Sequence, residues 1–158
     1  MTNTVEEIWK RMAEIGSCML VTDGGEGMHA RPMTPMIDKD MHVVRFIADR
    51  RDHKDEEISA SPDVCLAFAD PAANVFVSVT GEARIEQRRD IIMRHWVDGA
   101  DNWFRDGASD ENAILIEVRP RLGQYWVGPS KVSKIIEFVR AKTIGERPAL
   151  GESKTVRL

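Results

Sequence analysis

Two cysteines in 158 residues are too few to staple a fold. Cys18 and Cys65 each sit inside an apolar run rather than in a CxxC or a spaced quartet, which argues against a disulfide framework, a structural zinc site and dithiol chemistry. Both read as reduced core residues. There is no basic excess either: 22 Lys and Arg stand against 26 Asp and Glu, a net charge of −4. Nucleic acids and anionic membranes select a basic face, so neither is an expected partner, and any anion site must be local. No window approaches the ~20 apolar residues of a membrane span. Glu6 and Glu7 stand where a secretory signal would be basic and then apolar, so the expected location is the cytoplasm. Also missing are a Walker lysine motif, a GxSxG elbow and an HExxH pair among His29, His42, His53 and His95. Gly24-Gly25-Glu26-Gly27 falls between two predicted strands and reads as a turn, not a dinucleotide fingerprint.

What is present fits one ordinary globular domain over residues 1–158, with a polar tail from about 143. Such a chain buries roughly two thirds of its unfolded surface and needs no staples. Thr4 and Glu7 have capping-box spacing ahead of Val5, Ile8, Trp9, Met12 and Ile15 at helical intervals, and Gly16 ends that helix. A hairpin follows, Cys18 to Val21 and Met28 to about Met36, and then a strand at Val43 to Ala48. Asp52 is the expected cap of a short helix that must stop at Ser61-Pro62. Val64 to Phe68 is the next strand, and Val75 to Thr80 begins a longer one that Gly81 bends. A helix carrying Ile91, Ile92 and Trp96 leads to two strands, Ala113 to Val118 and Leu122 to Val127, separated by Pro120. Val132, Ile135, Ile136 and Val139 predict a last helix over Ser133 to Lys142, and the tail after Gly145 is polar enough for the surface. The pattern is mainly β, antiparallel, with peripheral helices: a barrel or sandwich.

One cluster stands out in an acidic chain. Arg31 lies on one strand and Arg45 on the next, with Arg50, Arg51 and Lys54 entering the short helix. A phosphate held there would meet Lys54 and backbone N–H groups near Asp52 and His53, with Arg31 adding a bidentate contact. The plainer reading makes Arg50 and Arg51 a solvated turn neutralised by Asp49, Asp52, Asp55 and Glu56.

Arg31-Pro32-Met33, Phe46-Ile47-Ala48-Asp49 with His53-Lys54, Pro62, Val77-Ser78-Val79-Thr80-Gly81, Trp103-Phe104 with Gly107, and Gln124-Tyr125-Trp126 follow one another in a familiar order. In this the chain resembles, nearly end to end, the pyridoxamine 5′-phosphate oxidase-like FMN-binding split barrels, and within them the general stress protein branch. The resemblance implies a six-stranded antiparallel split β-barrel and a homodimer with FMN in clefts shared between subunits; FAD or a deazaflavin is a less favoured cofactor. It implies that Arg31, Pro32 and Met33 lie along the flavin, that Ile47 and Ala48 flank it, that His53 and Lys54 clamp its phosphate, and that Phe76 and Trp126 contact the ring end. Trp126 would reach across the dimer.

Two departures follow from the same comparison. The family usually has Thr or Ser where this chain has Ala48, and often Ser where it has Asp52, so two phosphate donors are missing. The Arg-x-His pair of a true pyridoxamine phosphate oxidase is also replaced by Gly128-Pro129-Ser130-Lys131-Val132-Ser133, so that activity is not expected. The resulting expectation is an FMN-binding flavoprotein and oxidoreductase of unassigned substrate. Its alternatives are a non-enzymatic flavin carrier or sensor and a flavin-free dimeric interaction module.

Overall fold

The computed structural model describes residues 3–129 and 151–158. The predicted helix over Ser133 to Lys142, with Val132, Ile135, Ile136 and Val139, lies outside the described residues, as does Gly145. The first helix, α1 (Thr4–Ile15), is capped one residue earlier than its spacing predicts. The Asn3 side chain accepts the Val5 N–H at 3.0 Å, and Thr4 is already helical. Gly16 closes the helix with φ 73°, a conformation that glycine adopts without penalty. Ile8, Trp9 and Met12 form its buried stripe.

Strands β1 (Cys18–Asp23) and β2 (Met28–Met33) make the expected hairpin. The second strand does not run on to Met36: Thr34-Pro35 interrupts it, and β3 (Met36–Asp38) starts afresh beside β4 (Val43–Asp49). Next come β5 (Asp63–Asp70), β6 (Val75–Glu86) and β7 (Ala113–Val127). The two strands expected around Pro120 are a single strand of 15 residues. Pro120 is tolerated because it faces Gly81, where the β6–β7 register shifts and the ladder is already broken. A Cβ on Gly81 would run into the Arg119 carbonyl oxygen, so the bend needs glycine. Within the predicted polar tail, Glu152–Arg157 form β8, paired antiparallel with β7.

The sheet runs β2-β1-β5-β6-β7-β4-β3, with β8 alongside β7. Its terminal strands β2 and β3 are separated in the chain by two residues, which span at most ~11 Å. Both edges of the sheet must therefore come together, and the sheet curls into a split barrel. Among the described residues no ladder joins β2 to β3. The count exceeds six because Thr34-Pro35 cuts β3 from β2 and the tail adds β8.

Inward residues of β1, β4, β5, β6 and β7 build the core, Leu20, Phe46, Leu66, Phe68, Val77, Val79, Ile114 and Ile116 among them, and α1 closes it with Ile8 and Met12. Another helix, α2 (Lys54–Ala60), adds Ile58. A third, α3 (Arg89–Arg94), ends before Trp96 and packs on the other face of β7, where Ala113, Leu115 and Glu117 are also buried. Among the described residues, no helix is long and apolar enough to cross a membrane.

On that face Glu117 accepts Arg45 Nε at 2.9 Å and Arg84 at 2.8 and 3.0 Å, while Arg45 reaches Asp38 at 3.0 Å. Burial alone would push the Glu117 carboxyl up. The two guanidinium partners outweigh it and hold the group below its usual range. The network ties β3, β4, β7 and β6 in one row. Removing its central charge leaves the largely buried Arg45 with Asp38 alone and takes away the carboxylate that Arg84 holds, so Glu117→Ala should cost about 3 kcal/mol in urea unfolding at neutral pH.

Candidate functional site

The cations gathered by the sequence do not stay together. Arg45 belongs to the Glu117 network on the far face. Arg51 folds back on Asp49, and Arg50 is shared between Gln87 and Asp55. Arg31, His53 and Lys54 remain near one another at one end of the barrel, around α2.

The approach to α2 differs from expectation. Asp52 is not its cap. Asp49 caps instead a short 3-10 turn over Arg50–Asp52 by accepting the Arg51 N–H, and His53 turns the chain into the helix with φ 59°. The His53 imidazole is exposed, with Nδ1 3.2 Å from Glu56. Lys54 starts the helix and points inward: it is 6% exposed, and its Nζ donates to Asp52 Oδ2 at 2.8 Å. Ser61-Pro62 ends the helix as the sequence predicts.

One helical turn after Lys54 comes Glu57, a residue sequence reasoning passed over. Its Oε2 accepts from Arg31 at 2.7 Å and from the Thr22 hydroxyl, and its Oε1 lies 2.7 Å from His29 Nδ1. Arg31 donates from its other terminal nitrogen to the same Thr22 hydroxyl, also at 2.7 Å. Thr22 passes its one proton to Glu57 and accepts from Arg31, so the cluster is closed. It fastens edge strand β2 to α2. The Thr22 hydroxyl contributes most, with Arg31 and His29 assisting against the cost of burial, and the Glu57 carboxyl falls from 4.5 to about 2. The sequence signals were thin: a threonine in step with Cys18 and Leu20 on β1, and a glutamate three positions after the lysine.

The remaining predicted residues divide by face. Pro32 is exposed on edge strand β2, where its missing N–H costs no ladder bond, and Met33 packs against the core. Ala48 belongs to the core cluster, while the neighbouring Ile47 side chain lies on the opposite face of β4, so a single ligand cannot touch both side chains. Phe76 and Trp126 are cross-strand neighbours on β6 and β7, 37% and 38% exposed. They line a cleft of about 650 Å³ with Asn74, Gly128, Glu152 and Ser153. Of the aromatic pair Trp103-Phe104, Phe104 is buried and Trp103 fully exposed. Cys18 is buried, and burial pushes its thiol up to about 12; Cys65 faces Ser78 on the outer side of β5.

The two halves of the predicted site are thus on opposite sides of the sheet. Arg31 reaches the inward hydroxyl of Thr22, whereas Phe76 and Trp126 point outward between inward Val75, Val77 and Tyr125. Around them the outer face carries little charge, with Glu152 at the cleft. The rows Met19-Ala67-Ser78-Gln124, Val21-Cys65-Thr80-Leu122 and Ala69-Phe76-Trp126 cross β1, β5, β6 and β7 without one ionisable carboxylate, lysine or arginine, and Arg157 of β8 comes next to Leu122. In a chain that is 30% charged this is a selected surface.

Comparison with known proteins gives consistent findings. A family model described as pyridoxamine 5′-phosphate oxidase like matches residues 3–149. General stress protein 26 of Bacillus subtilis is 29% identical over 114 residues, 68% of this chain and 75% of that protein. A solved chain from Jannaschia sp. CCS1, assigned as a general stress protein 26, superposes with a TM-score of 0.77 over 100% of both chains at 24% identity, which speaks to the fold alone. A general stress FMN/FAD binding protein from Xanthomonas citri superposes with a TM-score of 0.70 at 26% identity, over 80% of this chain and 89% of that one.

The depressed Glu57 carboxyl has a pH signature. A folded-state value below the unfolded one stabilises the fold fully above about pH 4.5 and less and less as pH falls toward 2. Urea unfolding across that window should show stability falling with acid in the wild type and a shallower slope in Glu57→Gln.

Proposed function

The chain belongs to the pyridoxamine 5′-phosphate oxidase-like family, with general stress protein 26 among its relatives, and from that premise we propose that it binds a flavin, FMN in the first place, as a homodimer. The observation that carries this reading is the division of the site. One protomer offers inward cations, Arg31 and Lys54, at a barrel mouth, and outward aromatics, Phe76 and Trp126, on the opposite face. A two-fold axis across the sparsely charged outer face would bring the mouth of one copy toward the aromatic pair of the other. Met19, Leu122, Phe76 and Trp126, each more than a third exposed, supply the apolar area such an interface needs.

The residues present fit a flavin in kind. Lys54 is an inward ammonium beside an exposed carboxylate, able to hold a phosphate; Arg31 approaches from β2 and His53 from the turn before α2. Phe76 and Trp126 of one protomer offer flat apolar contact for a ring, and the backbone of Ile47 and Ala48 in the other would pass alongside it. A bound flavin supplies hydride and electron transfer, while the protein supplies position and exclusion of water. The reading is therefore an oxidoreductase that needs no general acid or base from the chain, acting in the cytoplasm.

Purified protein should show a flavin absorbance band at near-stoichiometric occupancy, with FMN identified by mass after denaturation; protein that neither retains nor takes up flavin would refute the reading. Anaerobic bleaching of that band by reduced nicotinamide, restored by an acceptor, would establish turnover. A bound flavin inert to both would leave a carrier or sensor. Lys54→Ala should weaken FMN binding by up to about 1 kcal/mol, since the charged hydrogen bond lost with the phosphate is largely offset by the Asp52 pair that the lysine gives up to make it. Trp126→Ala should shift sedimentation from dimer toward monomer, since a buried interface tryptophan contributes on the order of 2 kcal/mol or more.

A further inference from the structure

Among the described residues Lys54 is the one buried lysine, and its ammonium already has an anion. Asp52 Oδ2 stands 2.8 Å from Nζ on a side chain that is itself 62% exposed, so this carboxylate covers the lysine from the solvent side. The neighbouring cations are covered in the same way: Arg31 by Glu57, Arg51 by Asp49, Arg50 by Asp55 at 3.9 Å. Over residues 49–57 together with Arg31, four Arg and Lys side chains meet five carboxylates. A mouth built to seize a free phosphate dianion would carry an excess of positive charge, and this one does not.

We propose, resting on the flavin reading above, that Asp52 is a specificity-determining residue: an internal anion held against Lys54 where a flavin phosphate would sit, so that the pocket selects flavins by ring and ribityl chain and discriminates weakly for the phosphate. Entry of a phosphorylated tail exchanges one anion on Lys54 for another, and the number of ion pairs does not rise. The displaced Asp52 carboxylate, two residues from Lys54 in a tight turn, stays close enough to repel the newcomer. An unphosphorylated ribityl chain leaves the Asp52–Lys54 pair intact and meets no such opposition. Phosphate therefore adds little to affinity in the wild type and much once Asp52 loses its charge.

The test is flavin fluorescence titration of the full-length protein with FMN and with riboflavin. Wild-type dissociation constants for the two should agree within about tenfold. Asp52→Asn should tighten FMN at least about fivefold and leave riboflavin unchanged, while Asp52→Glu, which keeps the charge, should stay at wild-type values for both. Asp52 is exposed, so the fold should tolerate these changes; thermal unfolding verifies it, and Asp52→Ser replaces any variant that does not fold. A smaller gain for FMN in the neutral variants, or a wild-type preference for FMN beyond tenfold, would overturn the proposal while leaving flavin binding standing. Failure of every variant to bind either flavin would instead remove the flavin reading, and this inference with it.

Discussion

Two residues, Thr34 and Pro35, join the two edges of one sheet, and most of the architecture follows from that short tether. A flat sheet with strand order β2-β1-β5-β6-β7-β4-β3 would hold its outer strands several strand widths apart, roughly 4.8 Å each. The tether forbids it. The sheet must curl, and curling creates an inside that the alternating apolar residues fill and an outside that they leave to other uses. The ends of the curl are stopped by helices: α1 contributes Ile8 and Met12, and α2 contributes Ile58. Because β2 has a free edge with no ladder bonds beyond it, it needs another attachment, and the Arg31–Glu57–Thr22 cluster provides one.

The same curl explains why the candidate site is divided. Period-two alternation assigns each strand position to the inside or the outside, and neighbours such as Ile47 and Ala48 cannot serve the same ligand with their side chains. Arg31 and Lys54 fall inside the mouth, Phe76 and Trp126 outside on the sparsely charged face. Electrostatics adds a further constraint. In an acidic chain the cations at the mouth are present but committed, each to a carboxylate close by in sequence or across the β2–α2 joint. A count of basic residues alone overstates the positive potential there.

Much of the fold was legible because it depends on local signals. Gly16 as a helix stop, Ser61-Pro62 as another, and Gly81 as a bend in β6 all act through the backbone conformation of one or two residues, and each functions as read. Less legible were features set by partners distant in sequence. Pro120 reads as a strand breaker until Gly81 is placed opposite it in a register shift. The polar tail gives no strand pattern of its own, yet β7 supplies a template for β8. Asp52 has the right residue type for a helix cap, yet α2 starts from His53 without a side-chain cap and Asp49 caps only the 3-10 turn before it, while Asn3 displaced Thr4 by one position. In the site, Lys54 and Arg31 were visible as charges. Their pairing with Asp52 and Glu57 was not, because ion pairing across a strand and a helix leaves no periodicity in sequence.

Strand β7 has one further property. Along one side it pairs with β6 throughout; along the other it pairs first with β4, up to Val118, and then, from Leu122, with β8. Its second partner thus comes from a segment well separated from it in sequence. During synthesis the segment from Leu122 to Val127 must wait with an open row of backbone donors and acceptors, next to Trp126 and Leu122, until β8 arrives. Such a row is a template for pairing with any extended chain, including another nascent copy. Once β8 docks, Glu152, Lys154 and Arg157 place charge along the new rim, a poor surface for further strand addition. Strand β8 therefore also shields the sheet against aggregation, and its loss would expose that adhesive edge.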